Sequence, residues 1–321
     1  MRRSYDVNRK TAIYKNFTIF AKNQNMRKHT FGEWMIAVRP WSFPASAMPV
    51  IAATAYLFWK GAEINWLFAL WALVNIVLFH AAGNTWSDYF DFRKKVDADD
   101  TFGAKTLTTG MFTSKEIFRL SLGLTIVAAA AGIGLMVLTG LPLLWIGLGG
   151  VLCTLLYPFL KYNALGDIVI LLAYAFLPTI GTSFVTIGAI DWSILLIALP
   201  VGLITDGILH SNNTRDTLTD KRAGIRTMAM SIGPKASAIL YSFEVLFPFV
   251  WIGVLSIIGF LPLTTIIVFL TLVVAIGCAQ TMMKYLDGGT NLIGDLDVRT
   301  ANLQLMFSAL LSIAFVAAKL I

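Results

Sequence analysis

Long apolar runs, separated by short polar breaks, fill the chain from residue 41 to its end. A helix needs about 20 apolar residues to cross a bilayer. Reading between charges and Gly/Pro breaks predicts nine membrane-spanning helices, at 41–59, 64–87, 120–138, 141–160, 168–188, 192–211, 236–259, 262–283 and 301–320. Thr139-Gly140-Leu141-Pro142 separates the third from the fourth, and Gly259-Phe260-Leu261-Pro262 the seventh from the eighth. The predicted fold class is all-α and integral to the membrane. Residues 1–38 form a basic N-terminal segment, in which Ile13, Phe17 and Phe20 are spaced for one face of an interfacial helix. Residues 39–321 form one nine-helix domain.

Composition agrees. Hydrophobic residues make up 57% of the 321 positions and charged residues 13%, about half the roughly 25% of a soluble domain. The mean hydropathy is +0.73. Such a chain free in water would expose apolar patches large enough to aggregate. The net charge of +7 lies in residues 1–39, which hold nine Lys and Arg against two acids. That placement suits anionic lipid and excludes a nucleic-acid partner. Cys153 and Cys278 both fall in apolar runs, so there is no disulfide framework and no cysteine metal site.

Basic residues orient the spans. With the N-terminus in the cytosol, the outer loops and the C-terminus contain only Lys60 and Lys319, and the other twenty-three Lys and Arg fall at inner ends. The expected location is the inner (cytoplasmic) membrane, multi-pass, with the C-terminus outside.

Two acidic stripes then share the cytosolic face. Asn84, Asp88 and Asp91 stand at i, i+4 and i+7 at the end of the second span. Asn213, Asp216 and Asp220 stand at i, i+3 and i+7 at the end of the sixth. These spacings put each set on one side of a helix. The two are four spans apart, as a duplicated four-helix unit around a central intramembrane cavity would place them. Two carboxylates about 6 Å apart repel by roughly 3 kcal/mol at an effective dielectric near 20, so a cation must offset them. Oxygen donors without Cys or His suit Mg²⁺, usually held by carboxylates together with substrate phosphates. Facing stripes could hold Mg²⁺ around one diphosphate. Arg93, Lys94, Lys161, Arg215, Lys221, Arg222 and Arg226 are the candidates to neutralise its remaining charge.

Four stretches carry a family resemblance: Arg39-Pro-Trp-Ser-Phe-Pro-Ala-Ser46, Asp88-x2-Asp91-x5-Asp97, Leu165-Gly166-Asp167, and Asn212-Asn213-x-Arg215-Asp216-x3-Asp220-x3-Gly224-x-Arg226-Thr227. Over nearly all of residues 33 to 320 the chain resembles the UbiA-type intramembrane prenyltransferases. Within them it is most similar to the 1,4-dihydroxy-2-naphthoate polyprenyltransferases, because five residues precede Asp97. The resemblance implies nine helices, Mg²⁺, a polyprenyl diphosphate donor and an aromatic acceptor. The naphthoate branch implies decarboxylation to a demethylmenaquinone, within menaquinone biosynthesis. Hydroxybenzoate, a glyceryl phosphate or haem are the other acceptors the family offers. Ser87 stands where the family usually has Asn, Ile225 where Lys is common, and Gln304 near a position that is often His.

Further residues join the expected site. Arg39 is a partner for an acceptor carboxylate, or a positive-inside anchor. Asp206 and His210, on the motif side of the sixth span, are expected to line the acceptor pocket, with His210 as catalytic base. Asp167 and Tyr157 are expected to support Lys161. Tyr89, Tyr157 and Tyr174 are candidates to shelter an allylic cation. Glu244 is read as an interhelical hydrogen-bond partner, with a role as base left open. An ion-coupled transporter would place its acids near the bilayer midplane, whereas most acids here lie at helix ends beside basic residues.

Overall fold

The computed structural model describes residues 28–96 and 102–321. The stretch around residues 13–20, read as an interfacial helix or a frayed tail, and Asp97 lie outside the described residues. The fold is all-helical. Helix α1 (Phe31–Val38) precedes α2 (Pro44–Trp59), α3 (Trp66–Arg93), α4 (Ser114–Thr139), α5 (Pro142–Lys161) and α6 (Gly166–Ile187). Then come α7 (Leu195–Arg215), the short α8 (Thr217–Arg222) and α9 (Met228–Ile232), α10 (Pro234–Ile257), α11 (Leu263–Gly288) and α12 (Leu296–Leu320).

All nine predicted spans are helices. Eight helical stretches among the described residues are long and apolar enough to cross a bilayer, and the sixth of the predicted spans begins there at Trp192. The remaining one, α2, has 16 residues. At 1.5 Å per residue it covers about 24 Å, short of a 30 Å hydrocarbon core. A single turn at Pro40–Ser42 extends it on the motif side.

The core gathers α2, α7, α10, α11 and α12 around Tyr56, Ile197, Ile204, Tyr241, Phe249, Phe307 and Phe315. Helices α4 and α5 instead turn Val127, Ile133, Val137, Trp145 and Leu152 outward. In water those side chains would be a liability; in lipid they are the expected outer face. Helix α7 is the most enclosed span, with two-thirds of its apolar window buried. Glycine makes that enclosure possible. A Cβ at Gly202 would lie 2.6 Å from the Ala175 Cβ of α6, and one at Gly207 would lie 3.3 Å from Val245 of α10. Ala175 has no flexible end that could move aside, so Gly202→Ala is expected to lower the melting temperature of the detergent-solubilised protein. Gly150→Ala, with open space around its Cβ position, is the matched control.

At one end of the molecule the α2–α3 and α6–α7 connections meet. Lys60 pairs with Asp191, Tyr56 Oη is 2.7 Å from Ser193 Oγ, and Asn65 N–H donates to Thr186 O at 2.9 Å. Both acidic stripes lie at the opposite end.

Candidate active site at the acidic helix ends

Helix α3 runs unbroken through its acidic stripe, so Asn84, Asp88 and Asp91 stay on one side, as their spacing predicts. The second stripe does not remain one helix. The backbone leaves the helical range at Asp216 (φ −90°, ψ 8°), which ends α7 and starts α8. Arg215 holds that corner. Its Nε and Nη2 donate to the two Asp216 oxygens at 2.8 and 2.9 Å, its Nη2 also to Asn212 Oδ1 at 2.7 Å, and its Nη1 lies 3.0 Å from Asp297 Oδ2. The guanidinium also sits 4.2 Å from the centre of the Phe102 ring. One side chain therefore joins α7, the start of α12 and the α3–α4 connection.

The two stripes open into one cavity of about 720 Å³. Asn84, Asp88, Asp91, Asn213, Asp216 and Asp220 all line it, with Arg39, Lys161, Arg215, Tyr157 and Tyr174. Three basic residues already sit on the carboxylates. Arg39 pairs with Asp88, Lys161 Nζ lies 3.5 Å from Asp91 Oδ2, and Arg215 clasps Asp216. Tyr162 Oη donates to Asp91 Oδ1 at 2.7 Å and Ser87 Oγ to Asp91 Oδ2 at 3.1 Å. Burial, opposed by the nearby Lys161 charge and reinforced by Asp216 and Asp91, pushes the Asp220 carboxyl up to about 7. Arg39 reaches Asp88 from a left-handed backbone (φ 56°) between α1 and the Pro40 turn, a conformation that is costly for a residue with a Cβ.

Several expected residues lie elsewhere. Arg93 donates to Tyr89 Oη at 2.9 Å, Lys94 packs over the Tyr162 ring, and Arg226 donates to Ser231 Oγ at 2.9 Å. These three, with exposed Lys221 and Arg222, do not line the cavity. Tyr89 packs among Trp86, Phe90 and Phe118. Asp206 and His210 are corrected too: neither lines the cavity. His210 is fully buried and turned towards α10, with Nδ1 2.9 Å from Glu244 Oε1 and Nε2 2.8 Å from Ser237 Oγ. A 3.6-residue repeat sets a residue's side of a helix to within about a quarter turn, and Leu209 and Ile208 take the cavity-facing position instead.

Other residues were missed. His80 lines the cavity, its Nε2 3.2 Å from Ser42 Oγ and its Nδ1 2.9 Å from Ser46 Oγ, with the Tyr174 ring edge-on at 4.8 Å. A histidine inside an apolar span was the available signal. Asp295 and Asp297 also line the cavity; an acidic pair at the start of the last span could have flagged them.

Residues 46–291 match the profile of the UbiA prenyltransferase family. The chain belongs to that family. Among curated relatives it is 34% identical over 240 residues to UbiA prenyltransferase domain-containing protein 1 of Xenopus tropicalis, covering 71% of this chain and 68% of the relative. The Homo sapiens protein of that name is 32% identical over 232 residues, covering 70% and 68%. Among solved structures, a UbiA homolog from Archaeoglobus fulgidus bound to GPP and Mg²⁺ superposes with a TM-score of 0.63 at 17% identity, covering 90% of this chain and all of that one. The apo UbiA homolog from Aeropyrum pernix K1 gives a TM-score of 0.64 at 14% identity, covering 83% and 96%. The protein is thus a multi-pass membrane prenyltransferase of the UbiA family. The relatives do not single out the dihydroxynaphthoate branch.

Proposed function

We propose that this enzyme transfers a polyprenyl group from polyprenyl diphosphate to a small aromatic acceptor, 1,4-dihydroxy-2-naphthoate, with Mg²⁺ bound at the acidic helix ends. The observation that carries the reading is the meeting of both stripes in one cavity whose carboxylates already hold Arg39, Lys161 and Arg215. The donor set fits Mg²⁺. Asn84, Asp88, Asp91, Asn213, Asp216 and Asp220 offer hard oxygens, and the buried Asp88 Oδ2 has no hydrogen-bond partner. Among the described residues no three His, Cys, Asp or Glu side chains converge as a ready-made metal cage. That is no obstacle for an ion bound through one or two carboxylates plus substrate phosphates. When bound, Mg²⁺ supplies charge that neutralises the departing diphosphate.

The chain's own residues do the rest. Lys161 and Arg215 offer donors to the diphosphate once released from their carboxylates, and Arg suits a bidentate contact. The prenyl chain follows the apolar wall of α3, α5 and α6, along Ile76, Cys153, Ile170 and Ala173. Tyr157 and Tyr174 present aromatic faces where the allylic cation forms in a water-poor space. The acceptor sits at the end bounded by Arg39, Ser42 and His80. A cation beside hydroxyl and imidazole hydrogen-bonding groups suits a ring bearing one carboxylate and two hydroxyls, because an unpaired carboxylate there would be costly.

Purified protein should transfer a prenyl group to dihydroxynaphthoate only with Mg²⁺ present. If it refuses dihydroxynaphthoate but alkylates another hydroxyarene, the acceptor assignment falls and the reaction class survives. The orientation follows from the charge bias. Cysteines placed near Lys105, Lys221 and Thr290 are expected to react with a membrane-impermeant maleimide from the cytosolic side, and those at Gly61 and Ala189 from outside. Labelling of the two acidic loops from opposite sides would overturn the shared site.

A further inference from the structure

The Arg215 guanidinium is shared between two carboxylates of different origin, and the transfer chemistry above uses only one of them. Its Nε–Nη2 edge donates to Asp216, a residue of the second stripe, at 2.8 and 2.9 Å. Its Nη1 donates to the Gly294 carbonyl at 3.3 Å and lies 3.0 Å from Asp297 Oδ2. Asp297 belongs to neither stripe. It stands in the first turn of α12, where the helix dipole favours a negative charge. The Phe102 ring covers one face of the guanidinium, with its centre 4.2 Å away. The Arg215 and Asp297 side chains are 7% and 22% exposed, and both residues line the cavity.

The two edges have different fates in the proposed reaction. Asp216 is an expected Mg²⁺ ligand, and a carboxylate that gives its lone pairs to a cation holds a guanidinium less tightly. An arginine tied to Asp216 alone would then regain its rotamer freedom and have to be ordered again on the diphosphate. The contacts at Nη1 prevent that. Asp297 and Gly294 hold the far edge and Phe102 fixes the plane, so Nε and Nη2 stay where Asp216 left them. Asp297 also has accepting capacity in reserve, because its Oδ1 is buried without a hydrogen-bond partner. A buried carboxylate oxygen left unpaired is costly, so Asp297 gains by tightening on Arg215 as Asp216 lets go.

We propose that Asp297 is a positioning residue for donor binding: it anchors the far edge of Arg215 so that the near edge can pass from Asp216 to the donor's diphosphate. The proposal rests on the transfer reading above. No covalent bond changes in this exchange. The Nε and Nη2 donors of Arg215 give up Asp216 as acceptor and take diphosphate oxygens, a two-point contact that the planar fork suits. Asp297 acts through Arg215.

Charge alone predicts the opposite sign. Taking a carboxylate away from the wall of an anion site removes a like charge and strengthens anion binding. The anchor predicts weaker binding, because the guanidinium that should meet the anion is no longer held in place. The sign of the change therefore separates the two.

The test is calorimetric binding of inorganic diphosphate to the full-length protein in lipid nanodiscs at saturating Mg²⁺. Asp297→Asn is expected to weaken binding about tenfold, the lower end of what one hydrogen bond to a charged group contributes. Asp297→Gln is a second neutral variant with the same expected sign, should the first not fold. Asp297→Glu keeps the charge and should restore most of the affinity. In Arg215→Ala binding is weak at the outset, and adding Asp297→Asn is expected to weaken it no further. In steady state Asp297→Asn should raise the donor KM and leave the acceptor KM unchanged, a split that a loss of stability alone does not produce. Neutral variants that bind diphosphate as tightly as the wild type, or more tightly, overturn the anchor while the metal–diphosphate site stands. An equal loss on adding Asp297→Asn to Arg215→Ala overturns it too, because Asp297 then acts without Arg215. A wild type that binds no diphosphate at any Mg²⁺ concentration overturns the transfer reading itself, and the anchor with it.

Discussion

Asp88→Asn, Asp91→Asn, Asp216→Asn and Asp220→Asn are each expected to cut kcat by at least about a hundredfold while leaving folded protein in the membrane. Loss of one group aimed at charge that develops in the transition state costs roughly a hundred- to a thousandfold. A ligand carboxylate does more than one such donor, because it also sets the affinity for Mg²⁺. The substitution keeps the shape. Asn at position 91 can still accept from Tyr162, and Asn at 88 still faces Arg39. The replacements at positions 88, 91 and 216 give up an ion pair with Arg39, Lys161 and Arg215 respectively, and the repulsion relieved among the remaining carboxylates offsets part of that loss. The measurements are steady-state rates across a Mg²⁺ titration and calorimetric Mg²⁺ binding with a non-reacting diphosphate. If two of the four variants keep near-normal rates at saturating Mg²⁺, the two stripes do not share a metal–diphosphate site.

Arg215→Ala should damage both stability and activity. The guanidinium is 7% exposed and is the shared partner of Asp216, Asn212, Asp297 and the Gly294 carbonyl. Its removal strands two carboxylates. Breaking a fully buried pair by deleting one partner costs about 3–5 kcal/mol, and the loss here should fall below that because Asp216 and Asp297 are 25% and 22% exposed. Turnover should fall below detection, because the corner that orients Asp216 and Asp220 has lost its brace. Arg215→Lys keeps the charge but not the fork, so it is expected to recover folding and only part of the rate. Thermal melts of both variants beside their kinetics check this. Equal activity of Arg215→Lys and wild type would mean that charge alone, not bidentate geometry, holds the corner.

The spans were legible because a bilayer demands long apolar runs and tolerates few charges. Their ends were less so. The predicted second and sixth spans stop at residues 87 and 211, whereas the helices continue to Arg93 and Arg215. The polar extension is helical because it faces a cavity rather than solvent. Asn84, Asp88 and Asp91 were readable since α3 stays regular. Asp216 and Asp220 were found, but the break between them was not, because it depends on Arg215 and on Asp297, eighty-two residues beyond Arg215 in sequence number. Basic residues near a motif were a poor guide. Arg93, Lys94, Lys221 and Arg226 cluster at the end of the molecule that holds the acidic stripes without lining the cavity. His80 and His210 show the limit of periodicity: each lies in an apolar span, and only packing decides which one meets the cavity.

Helix α6 contains one wide turn, Leu172–Phe176, of the π type. Such a turn holds one residue more than the α-helix around it. Its effect is that the two halves of the helix are set independently. The half beyond the turn is locked by Thr179, Thr182 and Thr186 in buried packing, while the half before it sets Val169 and Ile170 against the cavity and Asp167 behind it. A regular helix has a single phase, and removing the extra residue would rotate the leading half by about 100° relative to the rest. Ile170 would leave the wall and Asp167 would swing out of its buried company. Cavity shape in this chain is therefore tied to the length of one helix, so a single-residue deletion there would reshape the apolar wall of the cavity as deeply as replacing several side chains, without changing the identity of any residue in the acidic stripes.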